Sequence, residues 1–125
     1  MFTLKIQINV IFLPLVLASV ISVEKGKTAI LKWELPKQYR SYNRFGIYIL
    51  GDLIYVIDHG NGQLQMKGHK RFGNRLSGKR FNHSIEITIE KVDFSDEATF
   101  TAILSSLEWK SFGDIRLDVI GKFSF

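Results

Sequence analysis

The stretch VDFSDEATFTA, Val92 to Ala102, decides how this chain is to be read. Its second half continues as ATFTAIL, where Phe100, Ala102 and Leu104 share one side of an extended backbone and Ile103 takes the other. Just ahead of it, SIEITIEKV sets Ile85, Ile87 and Ile89 against Glu86, Thr88 and Glu90, the cleanest period-two signal in the sequence. The chain contains no cysteine, so strands like these must be held by packing alone.

Outward from that stretch the same period recurs. TAILKWEL puts Ala29, Leu31, Trp33 and Leu35 on one face, with Ile30, Lys32 and Glu34 on the other. FGIYIL and LIYVID follow, separated by Gly51 and Asp52, which reads as a hairpin. DIRLDVI supplies a last strand, and Gly60, Gly62, Gly68, Gly73 and Gly78 mark short strands and tight connections in the middle. Seven to nine short strands with no helical period predict an all-β fold, an antiparallel two-sheet sandwich.

With 125 residues, 46% of them hydrophobic, the chain suffices for one domain with a modest core. Its first residues read differently: Lys5 precedes IQINVIFLPLVLASV, an apolar run of signal-peptide length and short for a membrane span. We expect a secretory signal over 1–18, cut after Ala18 or as late as Ser22, a domain over 19–121 and a tail over 122–125. Removing the signal takes Lys5 and no acid, leaving a mild net charge of about +4. The sequon Asn82-His83-Ser84 fits a secretory route and makes Asn82 a glycosylation candidate.

In register, the residues resemble the immunoglobulin superfamily, specifically its variable-type (V-set) domain. Ile87, Ile89, Val92, Asp96, Ala98 and Phe100 follow the family's pattern of spaced aliphatics and then D-x-A-x-Y-x-C, with Phe100 for the tyrosine and Ala102 for the cysteine. RLSG, Arg75 to Gly78, stands where the family has R-F-S-G, and Gly26 precedes Trp33 by the interval between a turn glycine and the first cysteine. Phe45 falls at the strand C tryptophan, and Phe112 and Gly113 where strand G begins. The resemblance implies a Greek-key sandwich of the V type and an ion pair between Arg75 and Asp96. Both cystine positions are changed, to Trp33 and Ala102, and the expectation is that the indole fills the vacated space with Ala102 making room. Phe100 lacks the hydroxyl of the tyrosine corner, and the G-x-G bulge after Phe112-Gly113 is missing.

Nothing argues for catalysis. His59, His69 and His83 are scattered, Asp58 with His59 and His69 has no ligand spacing, and neither a cofactor nor a metal is expected. The basic segment 67–80, with Lys67, Lys70, Arg71, Arg75, Lys79 and Arg80, lacks the interleaved aromatics of a nucleic-acid groove. Alternation turns Tyr48 and Leu50 outward beside Ile103, and Tyr55 and Trp109 could extend the patch. These five residues are the candidate partner-binding set, on the front sheet that the family uses for recognition. The resemblance implies a protein partner, self-binding being one option, as in the outer domains of hydroid allorecognition receptors or of lymphocyte adhesion receptors. GKTAILKW and FGIYIL look more like the former. As written, the chain has no membrane span, and it could be the tip of a membrane receptor. The alternative is a secreted effector or decoy that binds an acidic glycan through 67–80.

Overall fold

The computed structural model describes residues 19–68, 70–104 and 110–121. The expected signal at 1–18, His69, Trp109 and the tail at 122–125 lie outside the described residues. Among the described residues there are nine strands: β1 (Ser19–Glu24), β2 (Ala29–Glu34), β3 (Arg44–Ile49), β4 (Asp52–Asp58), β5 (Leu64–Lys67), β6 (Leu76–Arg80), β7 (Ser84–Ile89), β8 (Ala98–Leu104) and β9 (Lys110–Ile120). They form a six-stranded sheet in the order β1-β9-β8-β3-β4-β5 and a three-stranded sheet β2-β7-β6. All neighbours are antiparallel except β1, which runs parallel to β9.

Alternation explains which side of each strand is buried. β2 reads buried-exposed throughout, and Phe100, Ala102 and Leu104 of β8 point inward with Ile85, Ile87 and Ile89 of β7. These residues, with Phe45, Ile47, Ile54, Val56, Leu117 and others, make one core between the sheets. Phe72, from the basic segment, joins them almost fully buried and stacks on Phe100 with 6.2 Å between ring centroids.

Three local readings change. The β3–β4 turn is Leu50-Gly51, one residue earlier than expected, because Ile49 pairs with Asp52. Both turn residues have positive φ, 48° and 84°, as a two-residue hairpin with right-handed strand twist requires. Gly78 is not in a connection. It lies within β6, and a Cβ there would collide with the methyl of Met66 from β5, so its bareness lets the two sheets close along that edge. A bulge is present in β9 although the second glycine is missing. Ala102 pairs with Gly113 and Ile103 with Ser111, leaving Phe112 as the extra residue. The bulge accounts for Phe112 packing against the core beside inward-lying Gly113, its ring 6.1 Å from that of Phe45.

Candidate functional site

Two side chains tie the sheets together where a cystine is absent. Trp33 of β2, 3% exposed, reaches across the core and donates its Nε1–H to the Gly113 carbonyl of β9 at 3.1 Å. A Cβ on Gly113 would stand 2.9 Å from Trp33 Cδ1. The indole thus lies against Gly113, the cross-strand partner of Ala102, and the missing side chain of that glycine makes room for it. Phe45, also buried, carries the Arg80 guanidinium over its ring at 5.5 Å.

At the end of the sandwich near the β7–β8 connection, Arg75 and Asp96 form a two-point ion pair. Nη1 donates to Oδ2 at 2.9 Å and Nη2 to Oδ1 at 3.1 Å. Nη1 also reaches the carbonyls of Glu90 and Lys91, and Asp96 Oδ2 accepts from the Asp93 backbone N–H. Asp96 is 1% exposed. Burial alone pushes its carboxyl up. The bonds from Arg75 and Asp93 and the charges of Arg75 and Arg71 outweigh that, so its pKa lies below the usual carboxylate value. Hydrogen bonding to Asp96 raises Arg75 in return, against a smaller opposing effect of burial.

The outer face of the six-stranded sheet carries the apolar surface. Register sets Ile103, Gly46 and Tyr55 side by side across β8, β3 and β4, and Thr101, Tyr48 and Leu53 in the adjacent row. Tyr48 and Tyr55 are exposed, while Leu53 and Ile103 are half-buried because both lean over Gly46. A Cβ at Gly46 would meet Leu53 Cδ1 at 2.9 Å and Ile103 Cγ1 at 3.0 Å. Above these side chains is a shallow depression of about 400 Å³ lined by Tyr48, Leu53, Thr101 and Ile103.

Of the expected partner-binding set, Tyr48, Tyr55 and Ile103 share this face. Leu50 does not, because the hairpin turn takes it off β3 to the edge, and Trp109 is outside the described residues. The candidate set read from the sequence lacks Leu53 and Gly46, although alternation puts Leu53 with Tyr55 and Gly46 with Tyr48.

Half of the cations in the basic segment are engaged. Arg75 is held by Asp96, and Arg71 lies 3.6 Å from Asp52. Arg80 bonds the carbonyls of Phe81, Tyr42 and Arg40 and stands 3.5 Å from Asp58. Lys67, Lys70 and Lys79 are exposed. Asn82 is exposed in the β6–β7 turn, while Ser84 of the sequon is buried. Among the described residues no three His, Asp or Glu side chains stand together as a metal cluster would, and no helix is long and apolar enough to cross a membrane.

No protein-family model matches the chain, and no curated protein matches it. Solved structures do. The chain is similar to CD84, in a structure described as bearing on SLAM family function, with a TM-score of 0.68 over 84% of this chain and 99% of that one at 10% identity. It is similar also to the second Ig domain of the mouse polymeric immunoglobulin receptor, with a TM-score of 0.64 over 85% of this chain and 99% of that one, again at 10% identity. At such identity the likeness concerns the fold, and the fold is an immunoglobulin-like sandwich.

Proposed function

We propose that the chain is an extracellular recognition module of the V type that binds a protein partner through the outer face of the six-stranded sheet. The observation that carries this reading is the apolar depression lined by Tyr48, Leu53, Thr101 and Ile103, with exposed Tyr55 on the same sheet face, which shape and aromatic content suit to an interface. The V type is supported by β4 and β5, which extend that sheet beyond β3 as the additional strands of variable domains do. Self-binding, as in allorecognition or adhesion receptors, is one form the partnership takes.

The secretory route belongs to the same reading. Cleavage after Ala18 leaves β1 whole, whereas cleavage after Ser22 removes most of it, so the earlier site is the one the fold favours. Asn82 carries the glycan on its exposed turn. The glycan-binding alternative is weakened, since half of the cations in 67–80 are occupied by carboxylates or carbonyls of the domain.

The test is to display the full chain on cells and score adhesion to cells bearing it and to a panel of unmodified cells. Adhesion that is lost in both Tyr48→Asp and Ile103→Asp, with unchanged circular dichroism, supports the front face. Adhesion that survives both changes but disappears in Lys67→Ala/Lys70→Ala or in high salt transfers the function to the basic side.

A further inference from the structure

The three-stranded sheet ends at β2, and the direction of its free backbone groups is fixed by hydrogen bonding. Leu35 N–H donates to the His83 carbonyl at 2.7 Å, continuing the register in which Trp33 faces Ile85, Leu31 faces Ile87 and Ala29 faces Ile89. In an antiparallel ladder, residues that exchange both bonds alternate with residues whose N–H and C=O point away. The odd-numbered residues of β2 therefore bond to β7, and Ile30, Lys32 and Glu34 direct their backbone groups outward. Among the described residues nothing pairs with that edge. In immunoglobulin sandwiches the corresponding sheet has a fourth strand there, whereas here the first strand lies on β9 of the other sheet.

We propose that this edge pairs with β2 of a second copy of the chain, antiparallel about a two-fold axis at Trp33. Only even-numbered residues can exchange bonds across such an axis, which leaves few registers, and charge selects among them. Centring on Lys32 sets Lys32 against its own copy. Centring on Leu31 sets Lys32 against Ile30 and leaves Glu34 opposite Thr28. Centring on Trp33 sets Lys32 of each copy against Glu34 of the other, with full exchange of bonds there, and Ile30 opposite Pro36 at both ends, where the proline carbonyl accepts and no N–H is returned.

That register matches charge with charge in the middle and apolar with apolar outside it, and it is self-complementary as a two-fold interface must be. The side chains involved are already exposed: Lys32 and Glu34 lie 3.8 Å apart on the outer face with 54% and 73% of their side-chain surface open, and Ile30 is 51% exposed. The pairing joins the two small sheets into one and withdraws an open edge from promiscuous strand addition. It uses neither the face nor any residue of the proposed partner site.

Charge reversal tests the register on the full chain as secreted. Lys32→Glu alone, or Glu34→Lys alone, sets like charges opposite each other at both pairs, and sedimentation should show self-association weakened roughly tenfold. Mixing the two variants in equal amounts restores opposite charges at both pairs and should restore association. Hydrogen exchange supplies the second readout: protection of the Lys32 and Glu34 amides should rise with protein concentration, while the Trp33 amide, bonded to β7, should not respond. Association unaffected by either reversal, or no rescue on mixing, overturns the proposal. Amides at 32 and 34 protected equally at every concentration also overturn it, since a segment of the same chain would then cover the edge. Loss of self-association in Tyr48→Asp with both reversals neutral would leave the front-face reading standing and this one refuted.

Discussion

Two of the links that join the sandwich use different chemistry, and the difference shows what a cystine can be replaced with. In the middle, Trp33 crosses from β2 to β9 by apolar burial and one neutral hydrogen bond to Gly113. At the end, Arg75 and Asp96 connect the start of β6 to the turn before β8 through a buried carboxylate. Burial of an indole stabilises without regard to pH and depends on shape. A buried ion pair depends on both charges being present, because either one left alone in the interior is penalised heavily.

Removing the indole should have the largest effect. Trp33→Ala is expected to destabilise the domain by about 3 to 5 kcal/mol, a large part of the stability of a domain this size, measured by denaturant unfolding. Trp33→Phe should recover most of that, leaving about 1 kcal/mol for the lost bond to Gly113. A loss below about 1 kcal/mol in Trp33→Ala would show that the indole is not the link.

Asp96→Asn should follow, at about 3 kcal/mol, and it separates the two links by their response to acid. Because the folded pKa of Asp96 lies below its unfolded value, its contribution is complete above the ordinary carboxylate range of about 4 and is lost as pH falls through the folded pKa. Wild-type stability should therefore decline more steeply under acid than that of the variant, and parallel pH profiles would contradict the assignment. Gly113→Ala is the mildest change, at about 1 to 3 kcal/mol, since one methyl must be accommodated against the indole. An unaltered unfolding midpoint in that variant would mean that β9 yields at the bulge.

How far the sequence reveals this arrangement depends on distance along the chain. Period-two alternation is local, so the faces of β2, β7 and β8 can be read directly, and with them the side of β3 and β8 on which Tyr48 and Ile103 lie. The two-residue turn at Leu50-Gly51 is harder, because pairing register rather than composition selects it. Gly46 is informative only once Leu53 and Ile103 are seen to lean over it from two other strands. The contact of Trp33 with Gly113 spans 80 positions and depends on an unpaired Phe112 that no local pattern announces. Burial of Phe72 is masked by the charged residues around it, and the parallel placement of β1 on β9, which leaves β2 at an edge, carries no signal in alternation.

The Trp33–Gly113 link has a consequence for how the domain is made. A cystine is completed by oxidation, on the slow timescale of thiol–disulfide exchange, and can be completed wrongly. An indole finds its place as the sheets close, so core formation and the joining of the sheets become a single event with no oxidant, no isomerase and no mispaired intermediate. The same chain should therefore reach its native state in a reducing compartment as readily as in an oxidising one.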